Sequence, residues 1–258
     1  MRGLGYIPDE GRSEHIYGAR TGLSLPAVNM KYCPHAPKEH AYQDGAEGCV
    51  GFGIATAAYT KMSYDNVSPL LYPSPGFIWW NSRKTHGGED LNIGTYPSRA
   101  FETLNTLGMA PNDDWSWHEV AWRFAEKPSR IAYTHAFDSS FDIRYSKIYG
   151  YDEDLKYQVQ EAIYSVGPLT FGMMVTQSFV ELAEHDVYDG PKGDNDEVKG
   201  GHYLTLLGYD EKGPIGLGSW RQWGNDDWFH LTWRYFLEAS SDIVAFRFVP
   251  TLRGRTRA

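Results

Sequence analysis

Two groups in separate short stretches of this chain, a thiol and an imidazole, could act together on a carbonyl carbon, and a third stretch is rich in aromatic and small residues. The thiol is Cys49, within Gln43-Asp44-Gly45-Ala46-Glu47-Gly48-Cys49-Val50-Gly51-Phe52-Gly53. A glycine-containing loop leads here into an apolar segment, so the sulfur falls at the first turn of a helix. Unpaired backbone N–H groups and the positive end of the helix dipole favour a thiolate at that position. A nearby imidazolium would lower the thiol pKa further and make the sulfur a nucleophile at neutral pH. Taken alone, a cysteine at the start of an apolar helix is more often a small buried hydrophobe. The imidazole is His202, in Lys199-Gly200-Gly201-His202-Tyr203-Leu204-Thr205-Leu206-Leu207-Gly208-Tyr209-Asp210. Paired glycines there permit close backbone approach, and His202 opens a buried strand on the face of Leu204 and Leu206. A lone histidine so placed is usually a satisfied core residue. The third stretch is Gly218-Ser219-Trp220-Arg221-Gln222-Trp223-Gly224, which carries the indole of Trp220.

The elements that must position these groups can be read from periodicity and punctuation. Apolar patterning predicts a helix from Cys49 to about Lys61, and a second near Gly76 to Lys84. A third fits Pro97 to Leu107, with proline at its start and Gly108 just past its end. A fourth, Asp152 to Val166, carries an apolar stripe at Leu155, Val159, Ala162, Ile163 and Val166, and Gly167-Pro168 stops it. Short strand-like runs then follow: Leu169 to Val175, His202 to Tyr209, Pro214 to Trp220, Trp228 to Thr232 and Ile243 to Val249. Helices first and strands later predict an α+β chain of two lobes. The expected organisation is an extended N-terminal segment (1–40) wrapping over the body, a helical lobe (41–140), a β-rich lobe (141–250) and a polar tail (251–258).

Composition bounds the function. The chain has 258 residues and a formal charge of −9, with 33 acidic against 24 basic side chains. It lacks the basic footprint of a general nucleic-acid binder. Its two cysteines, Cys33 and Cys49, exclude a disulfide-rich scaffold. No segment has the apolar core of a signal peptide, and none approaches the roughly 18 apolar residues of a membrane span. The expectation is a soluble protein, cytoplasmic or virion-associated, with no membrane span; its oligomeric state is not readable.

In their order and spacing, the three stretches resemble the papain family of cysteine peptidases, and most closely its bacterial and phage-type members without a propeptide or disulfides. The resemblance spans nearly the whole chain. It takes in Gly5-Tyr6-Ile7-Pro8-Asp9, the Trp80-Asn81-Ser82-Arg83-Lys84 helix, the Gly94-Thr95 turn, the Gly167-Pro168 step, the Gly-Gly-His strand and the Trp–Gly loop. It implies a papain-like two-lobe fold, a helical lobe plus a β-barrel-like lobe, with the site in the cleft between them. It also implies a peptide or protein substrate and no cofactor. By this resemblance Cys49 is the nucleophile, His202 the general base and acid, and Gln43 an oxyanion donor. Glu47, Gly48, Gly94, Thr95, Gly201 and Trp220 fall along the substrate cleft.

The chain departs from the family at Gly218, where an asparagine usually orients the histidine. Gln222 and Asn225 are candidate substitutes, and a catalytically impaired peptide-binding or structural relative is the alternative reading. A Cys–His acyltransferase or amidase is a third. Bland alternatives stand beside several of these residues: a solvated loop amide for Gln43, a plain turn for Gly94-Thr95, and a free structural thiol for Cys33. The acidic segment from Asp186 to Lys199, just before His202, is either a solvated loop or a rim favouring basic peptides. Cys33, His35, His40 and Cys49 are zinc-ligand types, but their spacing does not match paired finger spacings, and no metal is expected.

Overall fold

The computed structural model describes residues 2–10, 17, 25–29, 37, 41–120, 123–139, 141–183, 186–221, 223–224 and 226–250. Cys33, His35, His40, Gln222, Asn225 and the tail 251–258 lie outside the described residues. In chain order the elements are β1 (Val28–Asn29), α1 (Cys49–Tyr64), α2 (Pro75–Lys84), α3 (Pro97–Leu107), a 3-10 turn (Asn112–Asp114), α4 (Trp117–Val120) and α5 (Arg130–Asp138). There follow β2 (Phe141–Lys147), α6 (Asp152–Ser165), β3 (Leu169–Thr176), α7 (Gln177–Val180), β4 (Val187–Tyr188) and β5 (Val198–Tyr209). The chain ends through β6 (Pro214–Leu217), β7 (Trp228–Leu231), α8 (Trp233–Ala239) and β8 (Ser240–Pro250).

Local chemistry explains most boundaries. Ser74 caps α2 by accepting from the Phe77 amide, with Pro75 in the first turn. Ser129 caps α5 and Thr232 caps α8 in the same way. Three acidic residues open α6, where the helix dipole favours them. Helix α1 has no side-chain cap, and its orphan amides at Gly48–Val50 are left for other partners. It is buried on nearly every face, which suits a central helix rather than an amphipathic surface one. Gly51 lets it approach α2, since a Cβ there would lie 2.5 Å from the Pro75 carbonyl oxygen. On its other side Thr205 Oγ1 donates to the Gly53 carbonyl at 2.8 Å, tying α1 to β5.

The strands form one twisted sheet in the order β2-β8-β3-β5-β6-β7-β4, with β1 paired to β5. All pairings are antiparallel except β4 with β7. Alternation along β5 splits its side chains between two cores. Leu204 and Leu206 enter the core of the β-rich half with Phe171, Trp220 and Trp223. Tyr203 joins Cys49, Val50 and Ile54 in the core beneath α1. Strand β5 is therefore the seam between the helical and β-rich parts, and its start carries His202.

Candidate active site

Cys49 begins α1 and is completely buried, as a free thiol. Burial pushes that thiol well above its ordinary pKa. Against this, the amides of Tyr203, Val50 and Cys49 itself face the sulfur and favour the thiolate, while the Glu47 carboxylate opposes it. The Tyr203 amide places the sulfur beside the peptide that links His202 to Tyr203. His202 is also fully buried, with both ring nitrogens lacking a hydrogen-bond partner among the described residues. Its imidazole stacks on Trp220, centroids 4.0 Å apart and planes 12° from parallel. Burial, and secondarily the positive charge of Arg2, pushes His202 down to about 3. Thiol and imidazole are thus both held neutral, and no hydrogen bond joins them in this arrangement.

Gly218 is explained by what fills its surroundings. A Cβ there would sit 2.6 Å from Cζ3 and 2.9 Å from Cε3 of the Trp223 ring. Trp223 is fixed in turn, donating through Nε1 to the Phe179 carbonyl at 2.9 Å. It meets Trp220 edge-to-face at 5.0 Å. The imidazole is therefore oriented by a stacked indole with a second indole braced behind it.

Gln43 is wholly buried, and its side chain is fixed at both ends. Ser219 Oγ donates to its Oε1. Its Nε2 donates to the Ala46 carbonyl at 2.9 Å and to the Leu4 carbonyl at 3.4 Å. The second acceptor belongs to the extreme N-terminal segment, which lies across the site. Gly3 N donates to Asp44 O at 2.8 Å, and Gly3 O accepts from Trp220 Nε1 at 2.8 Å. Leu4 N donates to Glu47 Oε2 at 3.1 Å. Thr95 N donates to Gly5 O at 2.9 Å, Ile7 N to Thr95 O at 3.1 Å and Tyr6 N to Gly201 O at 3.2 Å. The pairing of Tyr6 with Thr95 is parallel. Such proximity requires glycine: a Cβ on Gly5, whose φ is +111°, would lie 1.9 Å from the Glu47 carbonyl oxygen. On the opposing wall, a Cβ on Gly201 would meet the Tyr6 carbonyl oxygen at 2.4 Å. Residues 3–7 form a strap over the site.

Of the nine residues singled out from sequence, Gln43, Glu47, Gly94, Thr95, Gly201 and Trp220 pack against this strap, and Cys49 and His202 lie buried beside it. Gly48 does not join them; it caps α1 and packs on Phe52 and Trp117. In the acidic segment, Asp189 pairs with Arg234 at 3.0 Å, and Asp196 accepts from Ser178 N at 3.0 Å and Lys192 N at 2.9 Å. Sequence reasoning had the N-terminal segment wrapping over the body but did not place it in the site. The signals were there in Gly3, which faces Ala46, and Gly5, which faces Glu47 and Gly94, with Gly200-Gly201 opposite Leu4 and Tyr6. It also passed over Ser219, Ser241 and Asp242. Asp242 shares the buried Lys147 with Asp9, whose Oδ2 lies 2.7 Å from Lys147 Nζ.

No family model matches the chain. It is 26% identical over 197 residues to an uncharacterized peptidase C1-like protein of Acanthamoeba polyphaga mimivirus, covering 72% of this chain and 62% of that relative. Among solved structures it superposes on xylellain, a cysteine protease from Xylella fastidiosa, with a TM-score of 0.82 at 24% identity, covering 96% of this chain and 97% of the other. It also superposes on procathepsin B S9 from Trypanosoma congolense, with a TM-score of 0.71 at 16% identity over 97% and 87%. A third neighbour is the digestive procathepsin L 3 of Tenebrio molitor larval midgut, at TM-score 0.68 and 14% identity over 94% and 75%. The chain has the papain-like two-lobe α+β fold and resembles papain-like cysteine peptidases along its length. Among the described residues no helix is long and apolar enough to cross a membrane.

Proposed function

We propose that this chain is a cysteine peptidase that acts through a Cys49 thiolate and an acyl-enzyme, and that the strap of residues 3–7 holds it latent. One observation carries the reading. A fully buried imidazole leaves both ring nitrogens unbonded among the described residues, one residue from the amide facing a buried thiol. An unsatisfied buried polar group costs about 1–3 kcal/mol, and no structural role here offsets it. Such a group is understandable as a proton carrier waiting for its partner.

When the strap leaves, water returns to the pair, and the desolvation that holds thiol and imidazole neutral is relieved. The proton then moves from Cys49 Sγ to His202, and the helix-terminal amides support the thiolate. Sγ attacks the substrate carbonyl carbon. The oxyanion takes the place vacated by the Leu4 carbonyl on Gln43 Nε2, with the Cys49 amide as second donor; losing one such donor typically costs about 10²–10³ in rate. Ser219 fixes the Gln43 amide so that its N–H end faces the cleft. The imidazolium protonates the leaving amine, and the neutral imidazole then activates the water that hydrolyses the thioester. Trp220 supplies the orientation that Gly218 cannot. That two of the structural neighbours are proenzymes agrees with a closed cleft.

The test is labelling with a mild thiol electrophile across pH, using the parent chain, Gly5→Ala and Gly5→Ala/His202→Ala. Gly5→Ala should label fast and hydrolyse peptides, and the His202 change should abolish both. A folded Gly5→Ala chain whose strap has become susceptible to protease, yet whose Cys49 stays inert, would sink the peptidase reading. It would leave the peptide-binding alternative that Gly218 and Trp223 favour.

A further inference from the structure

The strap side chain seated deepest is Tyr6, 5% exposed, and the hole it fills is built for a phenol. A Cβ on Gly172 would lie 2.2 Å from the Tyr6 Cζ, so glycine at that point of β3 makes the room. The Tyr203 ring forms a second wall, 5.5 Å away between centroids. At the floor the Tyr6 hydroxyl is 2.7 Å from Ser241 Oγ and donates to Asp242 Oδ2 at 2.7 Å. The floor is held in an unusual conformation. Asp242 takes a φ of 45°, next to a register shift where β8 pairs with β3. Its other oxygen, Oδ1, accepts from the buried Lys147.

We infer that this pocket, with Ser241 and Asp242 as its reading groups, is the specificity pocket of the cleft and selects a tyrosine side chain from an incoming peptide. The inference rests on the peptidase reading above. Three features point to tyrosine rather than another long side chain. Phenylalanine would remove one bond from each reading group, leaving Asp242 Oδ2 only the Asp9 amide at 2.8 Å and Ser241 Oγ only the Gly172 carbonyl at 3.2 Å among the described residues. A site built to bond a hydroxyl discriminates against an analogue lacking it. Arginine or lysine would place a second cation on a carboxylate already paired with Lys147, at a desolvated site. Shorter side chains would not reach the floor. Ser241 and Asp242 also border an open groove of about 800 Å³, lined in part by Pro8, Tyr149 and Asp154. Water from that groove can partly satisfy them, so the expected preference is about 10–100-fold rather than the full 10⁴ of a sealed site.

The test uses the full chain carrying Gly5→Ala and Tyr6→Ala, which loosens the strap and empties the pocket. Fluorogenic peptides place Tyr, Phe or Arg at each position on the acyl side of the scissile bond in turn. At one position Tyr should exceed both Phe and Arg in kcat/KM by about 10–100-fold. Asp242→Asn and Ser241→Ala in that background should collapse the Tyr-to-Phe ratio toward one while Phe peptides are still cleaved. Equal rates for Tyr and Phe, or a preference for Arg, overturn the inference. Cleavage of no peptide by the folded chain overturns the peptidase reading instead. The inference is then decided by calorimetric titration with a synthetic copy of residues 2–9. Tenfold or greater loss of affinity on changing its tyrosine to phenylalanine upholds phenol selection, and equal affinity refutes it.

Discussion

Replacing Gly218 by asparagine installs the residue usual at this position in the papain family, which this chain resembles, and it should harm this protein. The added Cβ would lie 2.6 and 2.9 Å from two carbons of the Trp223 ring. That ring cannot slide away, because Nε1 is bonded to the Phe179 carbonyl and the edge is packed on Trp220. Overpacking of this kind costs about 1–3 kcal/mol. For Gly218→Ala, the reduced entropy of the unfolded chain returns about 0.4–1 kcal/mol, leaving a loss within about 0–2.6 kcal/mol and centred on about 1–2 kcal/mol. Asparagine adds a buried amide at a place where the indole already sits, for a total of about 2–4 kcal/mol. At about 2–4 °C per kcal/mol for a chain of this size, Tm should fall by roughly 2–8 °C for Ala and roughly 4–16 °C for Asn. Thermal melts by circular dichroism read the stability. Peptide turnover in the Gly5→Ala background reads the chemistry, which should fall because displacing Trp223 removes the brace behind Trp220. A Gly218→Asn chain that melts with its parent and turns over faster would refute the claim that two indoles have taken over the orienting role.

Acid should weaken the closed form. His202 binds its proton at about 3 in the closed fold against 6.5 for an unperturbed imidazole, so between those values the unfolded chain holds the extra proton. Stability therefore rises with pH across that window and falls as acid is added, by at most roughly 4–5 kcal/mol. Urea midpoints from pH 7 to 4.5 measure it, and His202→Phe should flatten the slope. Asp9→Asn leaves Lys147 paired with Asp242 but removes one of its two carboxylates. Strap closure should weaken by about 1–2 kcal/mol, and Cys49 should alkylate about 5–30-fold faster at neutral pH. Trp220→Leu removes both the imidazole stack and the donor to Gly3 O; turnover of the strap-opened chain should drop about 10–100-fold with KM changed much less.

Helices with strong punctuation were legible in the sequence. The span Pro97–Leu107 matches its expected bounds, and Cys49–Tyr64 runs three residues past its expected end. Strand β6 stops at Leu217 rather than Trp220: Gly218 N still bonds Asp227 O, the next step of the β6–β7 register, and the chain then bends and turns at Ser219–Arg221. The short helix Arg130–Asp138 was missed; its exposed Ile131 and Phe137 blur the apolar stripe. Strand Phe141–Lys147 alternates charged and apolar residues along an outer edge and was also passed over. Within the site, motif order pointed to the stretches that carry Cys49, His202, Gln43 and Trp220; the structure lays the Tyr203 amide against the Cys49 sulfur and stacks His202 on Trp220. The strap was not, since its hold on the cleft is mostly backbone hydrogen bonding between distant segments, which leaves no side-chain signature beyond glycine. Nor was the reason for Gly218, which depends on where a tryptophan five positions later comes to lie.

A strap that seals Cys49 also changes what a labelling rate means. At low electrophile concentration the rate scales with concentration times the open fraction, and reports the closing equilibrium. At high concentration capture outruns reclosure, and the rate levels at the speed with which residues 3–7 lift away. That plateau belongs to the protein rather than the reagent. Chemically dissimilar electrophiles should converge on one value, which makes the lifting of the strap a clock that can be read without any substrate.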